Sequence, residues 1–294
     1  MGDRTRSFLK VQDGCDYKCS YCTIPLARGK SRNLPVRECV DEAQKIAATG
    51  VLEIVLTGIN TGDYGKTTGE SFPDLLRSLS AVPGIERYRI SSIEPNLITD
   101  EILKMAATGS RIMPHFHIPL QSGCNRTLAM MKRRYKRELF AERVMKIKEL
   151  MPYAGIGADI ITGFPGESDT DFEETFQFVA ALPLSYLHVF RFSERPGTPA
   201  AELPDKVPHK KAEERSKRLM KLSESKKMAF NLMNAGRREN VLFEHARQEG
   251  YIAGFTTNYI RVLVPYVKGL EGTIRSVTLL VSTGAGEMTG RLND

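Results

Sequence analysis

A strand followed by a helix recurs along the first two thirds of this chain, and no other feature limits its fold as strongly. "FLKVQDG" has the composition of a strand and "PVRECVDEAQKIAATG" that of a helix. Val36, Cys39, Val40, Ala43, Ile46 and Ala47 share one face of that helix, and Gly50 suits its C-terminal cap. The alternation continues with "EIVLTG" and "SFPDLLRSLSAV", then "RYRISSI" and "TDEILKMAA", where Thr99 is placed to cap the helix. "HFHIPL" precedes helical segments to about Met151, "GIGADIITG" precedes "SDTDFEETFQFVAAL", and "YLHVFRF" is a sixth strand. Six strands alternating with helices predict an α/β fold with a parallel sheet and right-handed crossovers, closed into a partial (β/α)6 barrel. In such folds chemistry gathers at the C-terminal strand ends. Here those ends carry "TGINTGDYG", "SSIEP", "PLQSG", "TGFPGE" and "SERPGT", loops rich in Gly, Pro and small polar residues.

The pattern changes after about Pro204. Residues 205–236 read as a basic helical connector, and residues 237–294 as short strands separated by turns. The expected organisation is a core barrel over residues 1–204, the connector, and a small five-stranded β-barrel. No run approaches the ~18 apolar residues of a membrane span, and "MGDRTRSFLK" has no apolar stretch of signal-peptide length, so a cytoplasmic protein without membrane partners is expected. The net charge of +7 is unevenly spread. Residues 126–148 hold nine Lys or Arg against two Glu, residues 205–240 eleven against five acids, and residues 1–37 eight against three. Charge concentrated in this way suits a polyanionic partner, nucleic acid first, although solvated helix faces would give each window singly.

Three of the five cysteines, Cys15, Cys19 and Cys22, fall within "DGCDYKCSYCTIP", just after the first strand. A structural zinc site needs four closed ligands, often two CxxC pairs, and only three thiols gather here. Cys39 lies on the apolar face of the first helix, as a small core residue would, and Cys124 sits in the loop "QSGCNR". Three thiolates hold a [4Fe–4S] cluster by three irons and leave the fourth open to a ligand. Zinc completed by a distant His is the other reading.

The spacing CxxxCxxC, with Tyr21 before the third cysteine, resembles the radical S-adenosylmethionine (SAM) superfamily. "GCDYKCSYCTIPLARGKSRN", "LTGIN", "SSIEP", "HIPLQSGCNRTLAMMKRRY", "DIITGFPGE" and "FSERPGT" resemble its methylthiotransferase family, and "FLKVQDGCDYKCSYCTIPLARG" and "SSIEP" most resemble the tRNA threonylcarbamoyladenosine methylthiotransferases. The C-terminal β module is similar to the family's TRAM domain, a small RNA-binding barrel. That family also carries an N-terminal domain whose three cysteines hold a second [4Fe–4S] cluster. No such domain precedes the first strand here, so the expectation is a truncated core that cleaves SAM to 5′-deoxyadenosine without completing sulfur insertion.

The resemblance implies roles for individual residues. Cys15, Cys19 and Cys22 hold the cluster, and SAM binds its open iron. Tyr21 touches the adenine, Gly58 and Asn60 of "TGIN" meet the methionyl amine, and Gln121 and Ser122 meet the ribose and carboxylate. Gly163 lets backbone approach the cofactor, Phe190 lines the adenine site, and Glu94 takes a hydroxyl or amino group or pairs with an Arg. Arg28, Arg32, Arg133 and Arg134 are candidate phosphate contacts at the rim. The β module adds Arg261, Lys268 and Arg275, with Tyr251, Phe255 and Tyr259 nearby. The implied activity is addition of a methylthio group to carbon 2 of N6-threonylcarbamoyladenosine beside the anticodon. Its partners are tRNA and an electron donor of the flavodoxin or ferredoxin type. The alternatives are a relative acting on another modified adenosine or on a ribosomal protein, and a non-catalytic RNA-binding fragment with a structural metal site.

Overall fold

Six parallel strands build one wall whose outer face is packed by helices and whose inner face carries polar side chains such as Glu53, Arg89, His117 and Asp159. The computed structural model describes residues 5–282 and 286–293. In chain order the first part comprises β1 (Arg6–Lys10), β2 (Gln12–Asp13), α1 (Ile24–Arg28), β3 (Arg32–Asn33), α2 (Val36–Ala47), β4 (Glu53–Thr57), α3 (Phe72–Ser80), β5 (Arg87–Ile90) and α4 (Asp100–Ala107). There follow β6 (His115–Gln121), α5 (Asn125–Met130), α6 (Arg137–Leu150), β7 (Gly155–Thr162), α7 (Asp169–Ala181), β8 (Tyr186–Arg191) and α8 (His209–Asn234). Two parallel sheets form, β1–β4–β5 and β6–β7–β8. A bridge between Tyr88 and Ile112, and the Ile93 amide donating to the His117 carbonyl at 3.1 Å, join them into a six-stranded partial barrel. The expected fold class is therefore observed.

Leu9, Ile54, Leu56, Tyr88, Phe116, Ile118, Ala158, Ile160 and Leu187 belong to the main core together with helix residues such as Leu75, Leu76, Leu79, Phe140 and Val144. Strand neighbours of these residues face the lumen, because side chains alternate across a strand. The helices start where the sequence supplies capping groups. Ser71 and Asp74 form a reciprocal capping box at α3, Ser168 and Asp171 another at α7, and the Thr99 hydroxyl accepts from the Ile102 amide at α4.

The last strands are β9 (Arg238–Gln248), β10 (Tyr251–Phe255), β11 (Arg261–Pro265), β12 (Ile274–Ser282) and β13 (Met288–Leu292). They close into the expected five-stranded barrel, in the order β10–β11–β13–β12–β9, around Val241, Phe243, Ile252, Val262, Val264, Val277, Leu279 and Met288. The basic helix α8 is no loose connector: Leu219 and Leu222 pack into the main core and Phe230 into that of the β-barrel. Among the described residues no helix is long and apolar enough to cross a membrane.

The β-barrel docks on the N-terminal ends of the parallel strands. Fully buried Glu53 pairs with Arg89 at 3.2 Å and Arg87 at 3.8 Å. Those guanidiniums donate onward to β-barrel carbonyls: Arg87 to Phe255 and Asn240 at 3.0 and 2.7 Å, and Arg89 to Thr257 at 3.1 Å. The Tyr259 ring inserts beneath the lumen, 4.5 Å from the His115 ring, with Arg89 4.7 Å over its face.

Candidate active site

The cluster loop is shaped before any ligand arrives. Gly14 has φ +69°, and a Cβ there would lie 2.0 Å from the Lys30 carbonyl oxygen, so only glycine lets the loop close on its own return segment. The Cys15 amide completes that closure by donating to Gly29 O at 3.1 Å. Buried Gln12 then fastens this loop to the "TGIN" loop. Its Nε2 donates to Gly14 O at 2.8 Å and Ser31 Oγ at 2.9 Å, and its Oε1 accepts from the Ile59 and Asn60 amides, both at 2.9 Å.

Each of the three sulfurs faces a donor. The Tyr17 amide lies 3.4 Å from Cys15 Sγ, the Ile24 amide 3.5 Å from Cys22 Sγ, and Arg133 Nη1 3.1 Å from Cys19 Sγ. Burial pushes the Cys15 and Cys19 thiols up, while the Tyr17 amide and the Arg133 guanidinium act in the opposite direction. Donors of this kind favour the thiolate and tune a bound cluster. Beside them, the carboxamide of Asn60 is buried with neither Nδ2 nor Oδ1 hydrogen-bonded, and Asn96 Oδ1 is likewise unpartnered. Buried amides without partners call for a ligand. Three donor-backed thiols and an unspent amide together fit a cluster whose open iron carries an amino acid group.

Residues 9–179 match the family described as the Radical SAM superfamily. The chain belongs to that superfamily. This radical SAM chain is 40% identical over 288 residues to threonylcarbamoyladenosine tRNA methylthiotransferase MtaB of Bacillus subtilis, covering 95% of this chain and 63% of the relative. It is 39% identical over 256 residues to tRNA-2-methylthio-N(6)-dimethylallyladenosine synthase of Helicobacter acinonychis, covering 85% and 58%. Among solved structures, the radical S-adenosylmethionine methyltransferase TsrM of Kitasatospora setae superposes with a TM-score of 0.56 at 17% identity, over 66% of this chain and 38% of that one, a likeness of fold. The chain thus spans about three fifths of the length of these curated relatives. As a radical SAM protein it uses a [4Fe–4S] cluster and SAM, and the residues just described fit both.

Around the radical SAM site the other expected residues divide. Gly58 packs against Gln12, whose Oε1 would lie 2.9 Å from a Cβ there, so its missing side chain serves the loop staple. Tyr21 accepts from Arg133 at 3.3 Å and meets Phe164 edge-on, beside the cysteines. Glu94 takes the pairing alternative and binds Arg133. Burial pushes its carboxyl up, Arg133 opposes, and Asp63 and Asp159 add to the rise. Gln121 ends β6 at φ +71° on the rim, and Phe190 is half-exposed on the lumen face of β8.

Four expectations need correction. Arg133 is not at the phosphate-facing surface: its side chain is 4% exposed, held inward by Glu94, Cys19 and Tyr21. Ser122 does not present a free hydroxyl, because its Oγ bonds Thr175 Oγ1 at 3.0 Å and accepts from the Cys124 amide. Gly163, at φ +74°, answers to α8 and not to the cofactor, since a Cβ there would meet Ala212 Cβ at 2.6 Å. Phe255 and Tyr259 stack on each other at 4.8 Å and face Arg6 at the junction between the two barrels, while Arg261 pairs with Glu244 and Glu287; none of these is an open RNA surface. Lys268 and Arg275 are exposed. Gly163→Ala is expected to destabilise the chain by about 2–4 kcal/mol, through left-handed strain and overpacking against α8, measured by urea unfolding.

Sequence reading missed Gln12, the inward role of Arg133, and a lumen trio. His117 on β6, Asp159 on β7 and His188 on β8 converge: His117 Nε2 lies 2.8 Å and His188 Nδ1 3.5 Å from Asp159 Oδ1. The available signal was polar residues at alternating positions of apolar strands, "HFHIPL", "GADII" and "YLHVF".

Proposed function

We propose that this protein is a tRNA methylthiotransferase that adds a methylthio group to carbon 2 of N6-threonylcarbamoyladenosine beside the anticodon. When bound, the cluster and SAM supply a 5′-deoxyadenosyl radical. The chain's own residues hold the cluster by Cys15, Cys19 and Cys22, set its loop through Gln12 and Gly14, and offer Asn60 to the SAM amino acid group. tRNA and a flavodoxin- or ferredoxin-type donor in the cytoplasm complete the reading. It accords with the names of the relatives, which the chain matches over most of its own length.

One observation carries the nucleic acid half of this reading. About half of the basic residues of the charged windows form ion pairs within the chain, among them Arg126 with Asp171, Arg143 with Asp100, Arg215 with Glu167, Lys211 with Asp169 and Arg218 with Glu173. Lys18, Arg28, Lys30, Lys132, Arg134 and Lys136 are exposed and form no ion pair among the described residues. The two segments that carry them meet at the cluster loop, where Ser20 donates to Met131 O at 3.1 Å and Arg134 lies 3.9 Å over the Tyr17 ring. A collar of unpaired cations at the mouth of a radical site suits the phosphates of a polynucleotide brought to that site. Arg32 is half-exposed and shared with Asp13, outside this collar.

Two experiments test the proposal. The affinity of the reconstituted chain for tRNA is expected to fall steeply with salt, and a Lys132→Glu/Arg134→Glu/Lys136→Glu variant to lose about three units of the log–log slope. Binding indifferent to ionic strength would count against the collar. Mass spectrometry of tRNA nucleosides from cells lacking the protein should show methylthiolated threonylcarbamoyladenosine gone and its unthiolated form accumulated. An unchanged nucleoside profile would overturn the assignment.

A further inference from the structure

The lumen trio lies apart from the cysteine loop, on the inner face of the same barrel. His117, Asp159 and His188 sit on the inner face of three adjacent strands, with Asp159 directly opposite His188 in register. Their outward neighbours Phe116, Ile118, Ala158, Ile160 and Leu187 are core. Asp159 also contributes to the environment of Glu94, the partner of the arginine that touches Cys19, so trio and cluster site share one electrostatic space. β1 and β8 do not pair among the described residues, so the barrel is open beside β8, the strand that carries His188.

Asp159 holds one nitrogen of each ring and thereby orients both. Burial acts to raise its carboxyl, but the hydrogen bonds and charge of His117 and His188 outweigh it and hold the group at about 2. Among the described residues the second nitrogens, His117 Nδ1 and His188 Nε2, make no hydrogen bond. With the first nitrogen donating to the Asp159 carboxylate, the second donates when the ring is charged and accepts when it is neutral. The pair therefore serves a carboxylate, a hydroxyl or an amide N–H equally well. A hydrocarbon pressed against the same three groups would strip them of water and return nothing. A site built in this way rejects the ligand lacking polar groups far more strongly than an apolar pocket rejects the converse.

We infer that His117, Asp159 and His188 are the specificity element for the adenine N6 substituent, accepting an arm that bears a carboxylate and hydroxyl and disfavouring a hydrocarbon arm. The inference rests on the tRNA methylthiotransferase reading and adds the chemistry that separates the two kinds of relative, one named for threonylcarbamoyl and the other for dimethylallyl adenosine. These are positioning residues, since they meet the N6 arm on carbon 6 and not the reacting carbon 2, from which N1 separates it.

The test is binding of the reconstituted chain to three anticodon stem-loops identical except at the target base: N6-threonylcarbamoyladenosine, N6-dimethylallyladenosine and adenosine. The chain is expected to favour the first over the second by about tenfold or more. His188→Leu, at a half-exposed position that tolerates substitution, and Asp159→Asn should each bring that ratio to within about twofold of unity, with Tm and circular dichroism matched to the parent. If the parent discriminates and both variants discriminate equally well, the trio is not the selector and the inference fails while the methylthiotransferase reading stands. A parent that binds all three stem-loops alike, or none, removes the reading and the inference together. Stoichiometric cobalt(II) binding that His188→Leu abolishes, with discrimination unchanged, would reassign the trio to a metal and overturn the inference.

Discussion

Cys19→Ser is expected to strip the reconstituted chain of most of its iron, from about four atoms per chain to below about one, and to reduce reductive SAM cleavage by about two orders of magnitude or more. Cys19 is the most enclosed of the three ligands, and its sulfur is the one that receives a side-chain donor, Arg133. A serine oxygen is a poor iron ligand and would leave two thiolates to hold a cubane. The controls are the two cysteines away from the loop. Cys39 is core, its Sγ against Tyr64 and the Leu34 carbonyl, and Cys124 Sγ lies 3.2 Å from Asp171. Cys39→Ser and Cys124→Ser should keep the iron. The measurements are iron and sulfide content after anaerobic reconstitution and chromatography of 5′-deoxyadenosine. Full iron in Cys19→Ser, or stoichiometric zinc with four ligands in the parent, would refute the assignment of the loop.

The second large effect falls on stability. Arg133→Met removes the cation that faces Glu94, leaving a carboxylate 13% exposed with no compensating charge. Breaking a buried pair from one side costs about 3–5 kcal/mol. Burial already pushes the Glu94 carboxyl up against the opposing influence of Arg133, so the variant should raise it further. The sign follows by linkage. A carboxyl whose folded-state pKa lies above its unfolded value favours folding where it is protonated, and that contribution is lost as pH rises through the folded value. The penalty of Arg133→Met should therefore be smaller at pH 5 than at pH 8. Arg133→Met/Glu94→Leu should be less destabilised than the sum of the single changes, because each relieves the other's unpaired charge. Urea unfolding at the two pH values reads both effects. A penalty independent of pH, with additive single changes, would mean that the pair is not the coupled unit described.

Much of this protein is written locally. Period-two and helical patterns with Ser, Thr and Gly punctuation delimit the βα units, because caps such as Ser71–Asp74 and Ser168–Asp171 act within one helical turn. CxxxCxxC places three thiols on one loop whatever surrounds it, and the change of pattern after Pro204 marks a second, all-β barrel. What the sequence left open involves partners far apart along the chain. Arg133 meets Cys19 across 114 residues, and a basic run reads alike whether its members face solvent or turn inward to acids on other elements. Thus the charged windows look uniform, while ion pairing to acids on other elements separates Arg126, Arg143 and Arg215 from the collar of Lys132, Arg134 and Lys136. His117, Asp159 and His188 are single polar residues in three apolar strands, and only the parallel register sets them side by side. Tyr259 reads as an exposed aromatic until the β-barrel docks and drives its ring beneath the lumen. Local pattern determines which elements form and what each face can bury; which charges and rings meet is decided by packing, since those contacts exist only once the sheets, α8 and the β-barrel are assembled.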